Sequence, residues 1–337
     1  MKQPRKIILS RTDSIGDVVL TLPMAGALKE RFPDCELVFL GRNYTKDVVA
    51  LSKHIDKFLS WDEVAGSSEK EKAEFLKKEN ADTIIHIFPK SEIAKASVKA
   101  KIPTRIGSTG RLYHYRYCNK LVPLSRKNSE LHEAQLNFKL LKPVVGSVEN
   151  PSLGEINDFY GIEPGTELNE KWTKLLSPKK FNLILHPKSK GSAREWPLDN
   201  YAELIHLLPE DRFKIFVTGT EEEGKMIRDF LVKNKDKLTD LTGKFALQEL
   251  IQFIGVADGL VAASTGPLHL AAAMGKQAIG IYPPIHPMHP GRWAPIGKNA
   301  HFLVKDKDCN DCRKSLNCRC MNEILPQQVV DLIVENA

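Results

Sequence analysis

Apolar residues fall in short unbroken runs, separated by stretches of mixed polarity, along nearly the whole chain. The runs at 6–11, 36–40 and 82–87 are too short and too apolar for amphipathic helices, so they predict strands buried on both faces, with 102–106 a further candidate strand. Between them, 17–31, 44–51, 69–80 and 130–141 carry helical spacing. From 143 to 178 Pro, Gly and Asn accumulate and the periodicity lapses, which marks a linker. The alternation then resumes with strands at 181–186, 213–218, 259–263 and 278–282 and helices at 198–207, 221–234, 247–255 and 266–274. Strands alternating with helices build a parallel sheet covered on both faces. The pattern therefore predicts an α/β chain of two doubly wound, Rossmann-like domains, 1–165 and 166–337. The last helix, 325–335, is expected to pack back on the first domain.

Ligands of open α/β sheets bind beyond the carboxyl ends of the strands. The loops that follow predicted strands are therefore where chemistry is expected. After the first strand comes Ser10-Arg-Thr-Asp-Ser-Ile-Gly-Asp17. It is not G-x-G-x-x-G, and no G-x-x-x-x-G-K-[ST] occurs anywhere. Gly16 allows close backbone approach. Asp17, in the first helical turn, suits a general base that takes a hydroxyl proton. It equally suits a capping role with Ser14, and Asp13 carries the same ambiguity. The run His186-Pro-Lys-Ser-Lys-Gly-Ser-Ala-Arg-Glu-Trp-Pro197 puts Lys188, Lys190 and Arg194 in one loop with Ser189. Such a loop can grip a diphosphate, or it can be a solvated turn. Thr218-Gly-Thr-Glu-Glu-Glu223 offers Glu222 and Glu223 either to ribose hydroxyls or to a helix dipole. Ser264-Thr-Gly-Pro-Leu-His269 ends an apolar run with Pro267 well suited to the start of a helix. Thr265 and the backbone around Gly266 and His269 make a phosphate-type helix start, although His269 can instead be a packed histidine.

Charge sharpens the picture. The net charge is +7, and residues 1–150 hold 26 Lys/Arg against 18 Asp/Glu. Within 86–127 ten cations stand against one acid, Glu92, which points to an anionic partner or to a solvated face. Tyr113, Tyr115 and Tyr117 interleave with Arg111 and Arg116, but no nucleic-acid module accompanies them, so no nucleic acid is expected. No apolar stretch approaches membrane-span length, and no signal peptide opens the chain, so a cytoplasmic protein is expected. Four of the six cysteines, Cys309, Cys312, Cys318 and Cys320, crowd into twelve residues. Their C-x2-C-x5-C-x-C spacing leaves open a structural metal, reduced thiols or a disulfide.

Together the loops resemble glycosyltransferase family 9, the bacterial heptosyltransferases. The matching stretches are S-I-G-D-x-x-L-T-L-P at 14–23, H-P-K-S-K-x-x-x-R-E-W-P at 186–197, the Gly219 loop, L-T-G-K-x-x-L-x-E-L at 241–250 and S-T-G-P-L-H-L-A-A-A-x-G at 264–275. The resemblance implies a GT-B fold of two facing Rossmann-like domains with a cleft between them. It implies acceptor binding by the first domain, nucleotide-sugar binding by the second, and inverting transfer without a metal or cofactor. In that scheme Asp17 is the catalytic base, with Ser14 and Gly16 in its loop. Arg194 takes the place of a diphosphate-gripping lysine, and Lys188, Ser189 and Lys190 lie where phosphate contacts fall. Glu223 or Glu222 matches a ribose-binding acid, and Thr265, Gly266 and His269 match the phosphate-binding helix start. The implied partners are an ADP-sugar donor and an anionic, lipid-linked lipopolysaccharide-core type acceptor, reached at the cytoplasmic face of the inner membrane. Ser264 departs from the Asp the family often has there. That leaves room for another sugar, another nucleotide sugar used by a GT-B transferase or epimerase, or a relative that binds without catalysis.

Overall fold

The computed structural model describes residues 3–126, 129–146, 150–163, 168–305, 309 and 318–335. The chain divides into two compact units, Met1–Glu163 and Pro164–Ala337. The sparse-periodicity stretch contains this boundary, but it also folds short helices, Leu153–Asp158 and Glu170–Thr173, each opened by a side-chain cap from Ser152 or Asn169.

The first unit is built on six parallel strands: β1 (Lys6–Ser10), β2 (Glu36–Gly41), β3 (Lys57–Ser60), β4 (Thr83–His86), β5 (Thr104–Ser108) and β6 (Lys120–Val122). Their order is β3-β2-β1-β4-β5-β6. The central strands are buried along almost their whole length, with Ile, Leu, Val and Phe at their centres, because helices cover both faces. Among the described residues, the longest helix that periodicity does not announce is Ser91–Lys99. It buries Ile93, Ala94, Ala96 and Ser97, a narrow face of mainly small residues. The segment 17–31 is two helices, Ile15–Val19 and Pro23–Arg31, because Pro23 cannot donate into a continuing ladder and instead starts the second. Gly26 sits where a Cβ would stand 2.1 Å from the Phe159 carbonyl oxygen, so only glycine lets this helix approach the 153–158 turn.

The second unit repeats the design with β7 (Phe181–His186), β8 (Phe213–Val217), β9 (Leu238–Asp240), β10 (Gly259–Ala263), β11 (Gln277–Tyr282) and β12 (Ala300–Val304), in the order β12-β11-β10-β7-β8-β9. Its core gathers Trp196, Tyr201, Leu204, Val217, Val261, Ile281, Met321 and Ile333. The Trp196 indole donates to the Ile324 carbonyl at 3.0 Å. The closing helix, Pro326–Glu335, buries Val329, Val330 and Ile333 in this same core, and Gln277 Nε2 donates to its Leu332 carbonyl at 2.8 Å. Its apolar face is thus used within the second unit. Cys318 and Cys320 are buried in that core and Cys309 packs against it, whereas Cys312 lies outside the described residues.

In each sheet the order reverses beside the first strand, between β1 and β4 and between β7 and β10. That reversal is where an open α/β sheet leaves room for a ligand.

Candidate functional site

The loop after β1 leaves the first sheet at its switch point. Arg11 directly follows β1, and its side chain is only 3% exposed. Its Nε donates to Asp13 Oδ1 at 2.7 Å, Nη1 to Glu133 Oε1 at 3.1 Å and Asn137 Oδ1 at 3.3 Å, and Nη2 to Asp17 Oδ1. Asp17 Oδ2 accepts from Ser14 Oγ. Ser14 stands at the N-cap of Ile15–Val19 yet makes no side-chain cap bond. The capping alternative is therefore not the one realised. Serine and aspartate meet each other, and both carboxylate oxygens are held by donors near the mouth of the sheet. Gly16 lies in the same turn and accepts from Leu20 N at 3.0 Å.

Burial pushes the Asp13 carboxyl up to about 6, with Asp17 adding to the rise and Arg11 opposing it. The sign follows directly. A carboxyl that prefers its proton when folded gives stability that is complete below about pH 4 and is lost as pH rises through about 6. Asp13→Asn is accordingly expected to raise stability at pH 7.5 by about 3 kcal/mol, from about 1.4 kcal/mol per tenfold change in proton affinity over the rise from 3.8 to about 6. The gain should shrink as pH falls through about 6 and vanish only below about pH 4 in denaturant melts. A destabilised variant at pH 7.5 would mean that the Arg11 pairing outweighs desolvation.

In the second unit the sheet order sets three loops side by side, those after β10, β7 and β8. Lys188 Nζ pairs with Glu195, and Ser189 N and Oγ each donate to Glu195 Oε1 at 2.9 Å. Glu195 was absent from the expected site, although the W-P that follows it marks the loop's end. Lys190 is exposed, with φ +50°, and Gly191 follows at φ +79°. Left-handed backbone at a lysine costs energy that surrounding contacts must repay. Arg194 is half-buried on the same loop. His186, at the end of β7, shares a 3.0 Å hydrogen bond between Nδ1 and Thr218 Oγ1, and burial lowers its pKa despite Glu223 and Glu195.

Beyond β10, Thr265 caps helix Gly266–Ala273 with backbone alone, and its buried Oγ1 has no hydrogen-bond partner. Gly266 and the buried His269 lie in the first turn. Ser264 stands near the Tyr282 phenol, whose hydroxyl donates to the Trp293 carbonyl at 2.5 Å. Glu223 Oε2 accepts from Thr220 N at 2.7 Å and Thr220 Oγ1 at 3.0 Å, a complete capping box. At Glu223 the capping alternative is the one formed, while Glu222 is exposed. Among the described residues no group of three His, Cys, Asp or Glu stands where it could hold a metal ion.

The basic stretch is partly spent on structure. Lys95 and Lys99 both pair with Glu69, Arg105 donates to the Tyr117 and Ile102 carbonyls, and Arg126 donates to Glu133 and Asn137. Beside them, helix Leu112–Tyr117 exposes Leu112 at 89% and Tyr115 at 59%. No helix among the described residues is long and apolar enough to cross a membrane.

The model of glycosyltransferase family 9 (heptosyltransferase) matches residues 72–320. A lipooligosaccharide heptosyltransferase 2 from Haemophilus influenzae is 23% identical over 287 residues, spanning 82% of each chain. The solved structure of E. coli ADP-heptose lps heptosyltransferase II superposes with TM-score 0.76 at 18% identity, over 98% of this chain and 100% of that one. E. coli heptosyltransferase WaaC with ADP superposes with TM-score 0.72 at 18% identity, with the same coverage.

Proposed function

The chain belongs to glycosyltransferase family 9, the heptosyltransferases, and from that premise we propose that it moves heptose or a related sugar from an ADP-sugar to an anionic, lipid-linked saccharide of lipopolysaccharide-core type. It is a glycosyltransferase with two doubly wound parallel sheets of the GT-B class. The observation that carries the finer reading is the Asp17 carboxylate, with one oxygen on Arg11 and the other on Ser14 at the switch point of the first sheet.

In this reading the acceptor hydroxyl oxygen attacks the anomeric carbon and its proton passes to Asp17. The bond from that carbon to the diphosphate oxygen breaks, and the nucleoside diphosphate leaves with the electron pair. One base and one displacement invert the anomeric centre. An alcohol is far too weak an acid to lose its proton unaided at neutral pH, so a placed carboxylate helps in the transition state. Charge accumulates on the leaving diphosphate. Lys188, Lys190, Arg194 and the helix start at Thr265 and Gly266 are the groups that meet it, with His269 in the same turn. Cations fixed in place supply this neutralisation through the chain itself, without a cofactor. Glu222 and the Thr220–Glu223 turn are the candidates for the ribose side. Leu112 and Tyr115, standing between Arg111 and Arg116, support contact with an anionic membrane face on the cytoplasmic side.

Ser264 supports a second reading. A neutral hydroxyl stands near the Tyr282 phenol where the family often has an acid, which fits a donor whose sugar differs from heptose. Melting the protein with ADP, UDP, GDP and CDP in turn tests both. ADP is expected to raise the melting temperature most, since a ligand that binds only the folded state at about 100 times its Kd adds about 2.7 kcal/mol. A selective response to UDP would transfer support to another nucleotide sugar, and no response to any of the four would sink donor binding by these loops.

A further inference from the structure

Asp17 is held by more than its own loop. We infer that Glu133, which lies 116 residues further along the chain, is a positioning residue for Asp17 and acts through Arg11. This inference rests on the reading of Asp17 as the base.

Glu133 opens helix Glu133–Lys139, and its side chain is 1% exposed. Asn137 follows one turn later on the same face. Both accept from Arg11 Nη1, so one edge of the guanidinium is fixed from this helix while Nη2 meets Asp17. A guanidinium is planar, and its donors form a rigid fork, so fixing one edge fixes where the other points. The array then closes on itself. Asn137 Nδ2 donates to the Leu20 carbonyl and to Thr21 Oγ1, both at 3.3 Å, and Thr21 Oγ1 donates to the Asp17 carbonyl at 2.8 Å. Asp17 is therefore tied at its carboxylate and at its backbone to one helix. Arg126 backs the array, donating to Glu133 Oε1 at 2.8 Å and to Asn137 Oδ1 at 3.0 Å. Two guanidinium groups thus stand among Asp13, Asp17 and Glu133, which lets three acids share a dry site. Without Glu133, Nη1 of Arg11 loses its charged acceptor, and the guanidinium is left to Asn137 and to Asp13 and Asp17 themselves, so it no longer fixes where the base points.

The test compares Glu133→Ala, Glu133→Gln and Arg11→Lys in the full chain, each with and without Asp17→Asn, following transfer with the nucleotide sugar that ADP or its rival selects. Glu133→Ala is expected to lower kcat by about 30- to 100-fold, the scale of a catalytic group misplaced by about 1 Å. The donor KM should stay within about twofold, because Glu133 touches no substrate. Glu133→Gln keeps an acceptor for Arg11 and should recover most of the loss, whereas Arg11→Lys keeps the charge, loses the fork and should not. In the Asp17→Asn background Glu133→Ala should cost nothing more. Three results would overturn the inference: unchanged kcat in a Glu133→Ala protein that merely melts lower, an equal further loss in the Asp17→Asn background, or full activity in Arg11→Lys. Should Glu133→Ala fail to fold, the Arg11→Lys and Glu133→Gln pair decides the question alone. An Asp17→Asn enzyme as active as wild type would remove the base assignment itself, a distinct outcome.

Discussion

Asp17→Asn is expected to lower kcat for sugar transfer by about 10³- to 10⁴-fold, near the upper range for a lost general base. Affinity for the nucleoside diphosphate should change by less than about twofold, because in the proposed mechanism the acid acts on the acceptor and not on the leaving group. Asparagine keeps the shape of aspartate and keeps an oxygen for Arg11 or a nitrogen for a neighbouring carboxylate, so the array around Arg11, Glu133 and Asn137 can persist. The variant should fold. Steady-state kinetics with calorimetry on the same preparation checks both halves. A variant that loses nucleotide binding along with turnover would show that Asp17 supports structure and not proton transfer.

The second large effect is expected at Arg194. Arg194→Ala should lower kcat/KM for the donor by about 10²- to 10³-fold, the scale of one lost donor to a developing anion. Unlike the Asp17 variant, it should also weaken nucleoside diphosphate binding, since in the proposed mechanism the same cation meets the diphosphate before and during its departure. Arg194→Lys should restore activity to within about tenfold, a lysine serving there as a point charge and not as a fork. Lys188 is the weaker choice for this test because truncating it would also release the Glu195 carboxylate that holds Ser189. Unchanged donor affinity in Arg194→Ala would count against the diphosphate role of the loop after β7.

The central strands could be read from the sequence because they are buried on both faces, which demands uninterrupted apolar residues such as Ile7, Ile8 and Leu9 in β1 or Ala278, Ile279 and Ile281 in β11. The strands at the sheet edges could not. Residues 57–60, 120–122, 238–240 and 300–304 are short, half-covered and carry Lys57, Lys120, Asp240 and His301, so nothing in their pattern separates them from loops. Loop positions followed from strand positions, so the candidate chemistry after β1, β7, β8 and β10 fell at carboxyl ends as expected. Which alternative each acid takes could not be read. Ser14 with Asp17 and Thr220 with Glu223 share one spacing, yet only the second pair forms a capping box. The difference is Arg11, which captures Asp17 from outside the helix and is itself held by Glu133 and Asn137. Contacts made across more than 100 residues leave no local periodicity, and Glu133 and Asn137 read only as two polar positions on a helix.

The central claim is a single displacement driven by one carboxylate base, with the chain's own cations receiving the diphosphate. The most direct test follows the reaction with the nucleotide sugar that best raises the melting temperature and a phosphorylated core saccharide, in a buffer containing chelator. The anomeric configuration of the product is read by NMR. The account predicts acceptor-dependent release of the nucleoside diphosphate and a glycosidic bond of configuration opposite to that of the donor. A product that keeps the donor's configuration, or transfer that stops in chelator and returns with a divalent cation, would contradict it.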